Sequence, residues 1–402
     1  MREIKGGVTA PAGFLAAGVH ADIKGKGGTK KDVAVLFSRV PCAAAGVYTT
    51  NLVKAAPVVL SQERTAAGQL QAVVINSGNA NACTGDQGMA DAREMAELTA
   101  KALGLEAAAV AVASTGVIGV PLPMDRVRAG IARAAASVEP DGGQAAAEAI
   151  MTTDTYDKQY AVQFELGGAT VTIGAMAKGS GMIHPNMATM LGFLTTDADV
   201  DPATLQVALK AATETSFNMI TVDGDTSTND CLIALANGMA KNPRVVMGSA
   251  HYNTFAAALE QVLIHLAKEI ARDGEGATKL MEMRVKGAPT VADARKAAKA
   301  VCGSMLTKAA VFGEDANWGR VLCALGYSGA TFDPAKVDLW LGDMPMMKAG
   351  TPVAFDEEAA LAVLKEKTVV FTADMHSGSA EATAWGCDLT YDYVKINGAY
   401  RT

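Results

Sequence analysis

The sequence predicts an α/β fold in which layered sheets carry helices on their outer faces. Short β-branched runs alternate with helical patterns, and no long polar linker divides the 402 residues into separate parts. Half of the residues are hydrophobic and only 19% are charged, which is typical of a well-buried globular protein and excludes a disordered one. The length corresponds to two or three structural units, or to one large unit with two parts.

Apolar runs mark the strands, and capping residues mark the helices. Strands are predicted at residues 72–75 and 169–173, and a more strand-rich region is expected from 336–342 onward. Gly104 ends the first predicted helix as a C′ residue, and Asp201 caps the second. The predicted helices cover residues 89–103, 202–215, 250–272 and 293–308.

Charge and hydropathy exclude two classes of partner. The net charge of -7 and the pI near 5.4, without a long basic run, argue against nucleic acid. The one basic cluster, at residues 24–31, is predicted to be a solvated loop. Two charge-free stretches, 107–124 and 179–196, approach the length of a membrane span, but they contain glycine, proline and polar side chains. We therefore interpret both as buried strands and turns, and we expect no membrane partner.

Cysteine usage and the N-terminal sequence indicate a cytoplasmic protein. The six cysteines are scattered and include no C-x-x-C pair, so we expect neither a disulfide framework nor a thiolate zinc site. The first seven residues lack the apolar segment of a secretory signal.

The familiar catalytic motifs are absent from the sequence. It contains no G-x-S-x-G elbow, P-loop or G-x-G-x-x-G, and its five histidines are not spaced as in a zinc helix. Asp223-Gly224-Asp225 is an isolated D-x-D, which is more typical of a turn or helix cap than of a metal site. His184 and His265 are interpreted as structural histidines.

Three segments at 76–85, 113–119 and 178–183 are rich in Gly, Ser, Thr and Asn. Small residues let the backbone approach a ligand closely and present N–H groups toward developing negative charge. Each segment alone is typical of a tight turn. Three in one chain favour a site for a small polar substrate.

Residues 178–191 read KGSGMIHPNMATML, and this segment resembles the self-processing motif of the ornithine acetyltransferase family, which includes bifunctional glutamate N-acetyltransferases. The resemblance covers essentially the whole chain, and it implies an αββα-type sandwich with a smaller C-terminal α/β subdomain at about 280–390. The further matching segments, in order, are 76–85, 114–116, 216–230, 274–279, 317–320 and 394–402.

The resemblance implies autocatalytic cleavage between Ala188 and Thr189, which gives an alpha chain 1–188 and a beta chain 189–402. Thr189 becomes the nucleophile, although without the resemblance it would be interpreted as an ordinary strand residue. Cleavage frees an α-amine that titrates near ~7.7–8.0 and can serve as general base without a histidine. The implied reaction is ping-pong acetyl transfer from N2-acetyl-L-ornithine to L-glutamate in arginine biosynthesis, through an acetyl-threonine intermediate.

The same resemblance assigns the remaining site residues. Thr115 and Gly116 form the oxyanion hole, and Lys178 and Glu275 suit the α-carboxylate and δ-ammonium of ornithine. The resemblance does not decide between Thr152 and its neighbour Thr153 as a substrate contact. Those contacts are Thr152, Lys178, Thr189, Glu275, Asn397 and Thr402.

The implied partners are small molecules, with no cofactor and no metal. The sequence leaves open whether acetyl-CoA is a second acetyl donor, which would make the enzyme bifunctional. The two fragments are expected to stay associated as a heterotetramer of two alpha and two beta chains.

Two other functions stay open from the sequence alone. A self-processed amidohydrolase or aminopeptidase of the same architecture would differ only in using water as the acyl acceptor. A non-enzymatic binding protein would use the glycine-rich loops to hold a small anion, and its chain would stay uncut.

Overall fold

The computed structural model describes residues 1–184 and 190–399, which form two sheets and their flanking helices. The strands are β1 Arg2–Ile4, β2 Phe14–Val19, β3 Val33–Tyr48, β4 Gln69–Asn79, β5 Val110–Val117, β6 Lys158–Leu166, β7 Ala169–Lys178, β8 Leu191–Thr196, β9 Ile220–Thr221, β10 Cys231–Ala236, β11 Leu280–Ala288, β12 Asp338–Leu341, β13 Met344–Lys348, β14 Thr351–Pro352, β15 Thr368–Asp374 and β16 Ala380–Cys387. The helices are α1 Ala56–Ala66, α2 Gly85–Leu103, α3 Met124–Ala136, α4 Gly143–Ala149, α5 Pro202–Thr215, α6 Tyr252–Arg272, α7 Val291–Gly303, α8 Met305–Phe312, α9 Trp318–Tyr327, α10 Glu357–Leu364 and α11 Tyr391–Ala399.

The large sheet folds over itself at the long strand β3. Its order is β1-β6-β7-β8-β10-β3-β4-β5, with β2 beside β3. Strand β3 pairs with β2 along residues 33–38, with β4 along 33–37 and 42–43, and with β10 along 43–48. Leu36 of the first half packs in one core with Phe193 and Ile233 of the second. Val35 points the other way and packs in a separate core with Met95 of α2, as expected from strand alternation. The two halves therefore form two stacked layers.

Helices cover both outer faces of this sandwich. On one face α2 and α3 pack against β3, β4 and β5. On the other, Leu259 and Leu263 of α6 share a core with Val162 and Ile173 of β6 and β7. The resulting helix–sheet–sheet–helix order confirms the predicted sandwich.

The second sheet has the order β14-β13-β12-β15-β11-β16-β9. All of its strands except β9 lie within the residues 280–390 that the sequence analysis assigned to a C-terminal subdomain. Helix α6 also contacts β11 and β16, so it joins this sheet to the sandwich.

Several elements that local sequence signals predicted are present in the structure. The two charge-free stretches contain β5, buried over its first five residues, and β8, buried throughout, in agreement with their interpretation as strands and turns. None of the helices in the described part of the chain has both the length and the apolar character that membrane crossing requires.

The single helix predicted over 293–308 is wrong. Helix α7 ends at Gly303, and α8 begins at Met305 after Ser304, whose backbone is extended with φ -69° and ψ 113°. The Ser304 hydroxyl accepts a hydrogen bond from Thr307 N at 3.2 Å, which caps α8.

Candidate active site

A cleft of about 680 Å³ opens where β5 and β7 end and where β8 and β10 begin. It brings together the six described residues that the sequence analysis assigned to the site. These are Thr115, Gly116, Thr152, Lys178, Glu275 and Asn397. Thr153 also lines the cleft, so both threonines of the open choice face the same space.

Three predicted site residues, Ala188, Thr189 and Thr402, lie outside the described residues. The chain segments next to the first two are informative. Ile183 and Met190 both line the cleft, and Met190 is bonded directly to Thr189 in the sequence. The described chain thus approaches the cleft before the predicted cleavage point and leaves from it afterwards.

The backbone at Gly116 requires glycine. Its φ is 136°, and a Cβ there would meet the carbonyl carbon of Gly78 at 2.3 Å. The amide side chains of Asn229 and Asn76 hold Ser114, two residues before Gly116. Asn229 Nδ2 donates to Ser114 O at 2.8 Å, and Ser114 Oγ donates to Asn76 Oδ1 at 2.6 Å. The segments rich in small polar residues therefore hold one another in place around the predicted oxyanion hole.

Lys178 is buried at the end of β7, and its Nζ lies 3.4 Å from Thr115 Oγ1. Burial lowers the pKa of Lys178 because it disfavours the ammonium, while the carboxylates of Asp154, Asp230 and Glu275 act in the opposite direction. The Lys178 amine is therefore surrounded by carboxylates, and it is in a position to contact a ligand in the cleft.

A buried ion-pair cluster lies behind the cleft, and the sequence analysis did not find it. Lys158 Nζ lies 2.8 Å from Asp154 Oδ1 and 2.6 Å from Asp273 Oδ2, and all three side chains are shielded from solvent. Burial would raise the pKa of Asp154, but the charges of Lys178 and Lys158 outweigh it and hold that pKa below its usual range. Asp154 Oδ1 also accepts from Gly179 N at 2.7 Å, so the cluster joins β6, β7 and the end of α6.

Glu275 is buried by contacts that the sequence could not show. Its backbone N donates to Ser180 O at 3.0 Å, and its Oε2 accepts from Asn397 Nδ2 of α11 at 2.8 Å. A Cβ on Gly181 would lie 2.4 Å from Glu275 Cδ, so a larger residue there would displace the carboxylate. Helix α11 is thereby connected to the cleft through Asn397.

Asp230 is a further cleft residue to which the sequence analysis gave no role. Its side chain is buried at the start of β10, it accepts from Met190 N, and its Oδ2 has no hydrogen-bond partner in the described part of the protein. Burial raises its pKa well above the ordinary value, against the opposing charge of Lys178. It was contained in the matching segment 216–230, and a buried acid at a strand end has no local sequence signal of its own.

The D-x-D aspartate and the two histidines considered in the sequence analysis have structural roles. Asp223 accepts from Met182 N at 2.6 Å and Ile183 N at 2.8 Å, which is a turn-forming role. Within residues 1–184 and 190–399, no group of three or more potential ligands is arranged to hold a metal ion. His184 Nδ1 bonds Thr221 Oγ1 at 2.9 Å, and burial lowers the pKa of His184 to about 4. His265, the other histidine interpreted as structural, stacks on Tyr160 with ring centroids 3.8 Å apart.

Comparison with known proteins assigns the fold and cleft to a family. The ArgJ family model matches residues 15–402, and the chain belongs to that family. This membership confirms the family that the motifs indicated. It also confirms that the chain is an enzyme, an ornithine acetyltransferase or glutamate N-acetyltransferase.

Two relatives and one solved structure illustrate the similarity. The arginine biosynthesis bifunctional protein ArgJ of Symbiobacterium thermophilum is 76% identical over 402 residues, covering 100% of both chains. The protein of the same name from Caldanaerobacter subterraneus is 54% identical over 406 residues, again covering 100% of both. A crystal structure of arginine biosynthesis bifunctional protein argJ from Bacillus halodurans is 47% identical with a TM-score of 0.52, and it covers 53% of this chain and 100% of the solved one.

Proposed function

We propose that the protein transfers an acetyl group from N2-acetyl-L-ornithine to L-glutamate through an acetyl ester on Thr189. The observation that carries this proposal is the convergence of six predicted site residues, from five separate segments of the chain, on one cleft. The names of the relatives, which are arginine biosynthesis bifunctional proteins, support the pathway.

The proposed nucleophile arises by self-cleavage. The Thr189 hydroxyl adds to the carbonyl carbon of Ala188, the C–N bond breaks as the amine takes up a proton, and an ester links the two residues. Water then hydrolyses the ester, which leaves a carboxylate on Ala188 and a free α-amine and hydroxyl on Thr189. Residues 189–402 make up 214 of 402 residues, or about 53% of the chain. The whole solved chain from Bacillus halodurans aligns with the same share, 53%, which supports a cleaved product of this length.

Acetyl transfer then follows in two half-reactions. The α-amine of Thr189 accepts the hydroxyl proton while Oγ attacks the acetyl carbonyl; the amide C–N bond breaks, and ornithine leaves with the proton on its nitrogen. The amine of glutamate next attacks the acetyl ester and restores the hydroxyl. Since the acetyl group stays covalently bound between the two steps, no ATP is needed to form the new amide.

The charges of the cleft suit an amino-acid substrate. Lys178 is assigned to the α-carboxylate, and Glu275 to the δ-ammonium of ornithine, each as a charge-assisted contact. Thr115 and Gly116 are assigned to the oxyanion that forms in each tetrahedral intermediate. The lysine and the glutamate both line the cleft and are both buried, which strengthens such contacts relative to water.

Replacing Thr115 with valine tests the oxyanion assignment. We expect kcat to fall by about 10²–10³-fold with little change in the KM for acetylornithine, because the donor acts mainly in the transition state. Thr170→Val, an exposed position on β7, is the matched control and is expected to keep full activity. Steady-state kinetics of the two variants test the assignment, and equal kcat values for Thr115→Val and Thr170→Val would contradict it.

Removing residues 391–402 tests the role of the C-terminus. None of the described residues of α11 is buried, so the core is expected to survive, but Glu275 loses its bond to Asn397. We expect the KM for acetylornithine to rise by about 10–100-fold, the effect of losing a hydrogen bond to a charged group. Lys395→Ala on the same helix controls for a general effect of altering α11. An unchanged KM in the truncated protein would exclude the C-terminus from the site.

The two fragments are proposed to stay together in the cytoplasm as two alpha and two beta chains. Support comes from the core of the sandwich, in which Leu36 and Ile75 pack in one cluster with Phe193 and Ile233. These residues lie on opposite sides of the proposed scission, so separating the fragments would expose the core to water.

The overall proposal is tested by incubating the protein with acetylornithine, with and without glutamate, and by measuring acetylglutamate. We expect acetylglutamate to form in proportion to released ornithine only when glutamate is present. Fast release of acetate and ornithine without glutamate would instead indicate a hydrolase. Absence of any turnover, together with an uncut chain, would indicate a binding protein.

A further inference from the structure

The proposed self-cleavage needs a proton acceptor that the α-amine cannot supply. Before scission, the Thr189 nitrogen belongs to a peptide bond, in which resonance delocalises its lone pair. It therefore cannot take the proton of the hydroxyl, as the free amine does during acetyl transfer. Another group at the cleft has to act as the base for this first reaction.

Two carboxylates line the cleft within residues 1–184 and 190–399, those of Asp230 and Glu275. Glu275 Oε2 already accepts a hydrogen bond from Asn397 Nδ2 at 2.8 Å. Asp230 is only 3% exposed, yet its Oδ2 has no hydrogen-bond partner in that part of the chain. Because a buried acceptor without a donor is unfavourable, an unpartnered oxygen beside this cleft indicates a use in the reaction.

The peptide group of Met190 is held by Asp230 and the residue after it. The Asp230 carboxylate accepts from Met190 N, and Cys231 N donates to Met190 O at 3.0 Å. These contacts extend the parallel pairing of β8 with β10, in which Leu191 lies opposite Cys231. Met190 is bonded directly to Thr189 in the sequence. The carboxylate is therefore anchored to the residue that follows the predicted nucleophile.

The same segment also contacts the strand of the predicted oxyanion hole. Asn229 Nδ2 donates to Ser114 O at 2.8 Å, immediately before Thr115 in β5. The Asp230 carbonyl accepts from Thr49 N at 3.0 Å, next to the end of β3. Residues 229 and 230 thus connect the strand that carries the oxyanion hole to the strand that follows the nucleophile, so the position of the Asp230 carboxylate is fixed relative to both.

The environment of Asp230 suits a carboxylate that accepts a proton. Burial raises its pKa well above the ordinary value, while hydrogen bonds from Ser227 and the charge of Lys178 on β7 act in the opposite direction. The thiol of Cys231, the next residue in the chain, is also buried, and its raised pKa keeps it neutral. A carboxylate with a raised pKa holds a proton more strongly than an ordinary aspartate does, which makes it the better base.

We propose that Asp230 is the general base of self-cleavage and that its Oδ2 carries the proton of the Thr189 hydroxyl to the Thr189 nitrogen. The inference rests on the proposed function, because it concerns the step that creates the nucleophile. As Oγ bonds to the carbonyl carbon of Ala188, its proton passes to the carboxylate. The same proton passes to the nitrogen as the C–N bond breaks, so the ester forms and Asp230 is again ionised. Once water has hydrolysed the ester, the freed α-amine is the base for acetyl transfer.

Asp230→Asn separates proton transfer from positioning. The amide oxygen can still accept from Met190 N, but the amide cannot take up a proton. We expect the half-time of cleavage to lengthen by about 10²-fold or more, the contribution of a general base, while acetyl transfer per cut chain falls by less than about tenfold. Asp225→Asn, an exposed acid five residues earlier, is the matched control and is expected to be cut at the unaltered rate.

Cleavage is followed by denaturing electrophoresis of the full-length chain after a short pulse of synthesis, and transfer by acetylglutamate formed per mole of cut chain. The cleavage rate of the unaltered protein should rise with pH and level off above the pKa of Asp230, because only the ionised carboxylate accepts the proton. The residual cleavage of Asp230→Asn should lack this rise. Asp230→Glu, which keeps a carboxylate, should be cut faster than the asparagine variant.

The outcomes separate this inference from the proposed function. Cleavage of Asp230→Asn as fast as Asp225→Asn, or equal losses of cleavage and of transfer per cut chain, would overturn the inference and leave the function standing. A chain that stays uncut but keeps the urea midpoint of the control supports it. If the asparagine variant is destabilised, Asp230→Glu decides, and its failure to be cut overturns the inference. Neither fragments nor acetylglutamate from the unaltered protein would refute the proposed function itself.

Discussion

Thr189→Ala is expected to leave one intact 41.3 kDa chain and to lower acetyl transfer by roughly 10⁶-fold, the scale seen when a covalent nucleophile is removed from other enzymes. Both effects have one cause. The hydroxyl attacks the Ala188 carbonyl during self-cleavage and the acetyl carbonyl during catalysis, and alanine can do neither. Denaturing electrophoresis and an acetylglutamate assay measure the two effects on the same preparation.

Thr189→Ser is the matched variant, since it keeps the hydroxyl and, after scission, the α-amine. It is expected to yield two fragments and measurable transfer. If the alanine variant were still cut, or still transferred acetyl groups at a rate close to that of the unaltered protein, the assignment of Thr189 would be wrong.

Lys158→Met is expected to lower the free energy of unfolding by about 3–5 kcal/mol, because it leaves the carboxylates of Asp154 and Asp273 buried without their cation. The loss should appear as a lower midpoint in urea. It should also reduce activity, since Asp154 bonds the backbone of Gly179, next to Lys178.

The control for this prediction is Lys286→Ala. Lys286 Nζ lies 3.5 Å from Asp374 Oδ2, but the lysine side chain is half exposed, so its loss is expected to cost less than about 1 kcal/mol. If Lys158→Met lowered the urea midpoint no more than Lys286→Ala does, the buried cluster would contribute little to stability.

Elements with local stop and start signals were predictable from sequence. Gly104 ends α2 with a φ of 70°, and Asp201 caps α5 by accepting from Thr204 N at 3.1 Å, both at the predicted positions. Such caps act within three or four residues of the chain, so sequence alone contains the information.

Features that depend on distant contacts were not predictable. The fold of the large sheet over itself at β3 depends on pairings with β4 and β10, which are far apart in the sequence. The break at Ser304 is a different kind of miss: Ser304 caps α8 through a local hydrogen bond, which the sequence analysis did not recognise within a continuous helical pattern.

The candidate site also has residues that the sequence analysis assigned and residues that it missed. Glu275 alone would be interpreted as a solvated residue after a helix, and only the family resemblance assigned it to the cleft, where the structure buries it beside Asn397. No resemblance assigned a role to Lys158, whose partner Asp273 lies 115 residues away. Its importance follows from burial and charge pairing, which are properties of the folded chain.

The most direct test of the account is intact-mass spectrometry of the purified protein before and after addition of acetylornithine without glutamate. The account predicts two masses, for residues 1–188 and 189–402, and one acetyl group gained by the larger fragment and lost again when glutamate is added. An uncut 41.3 kDa chain that transfers acetyl groups at full rate, or an acetyl group on the smaller fragment, would contradict it.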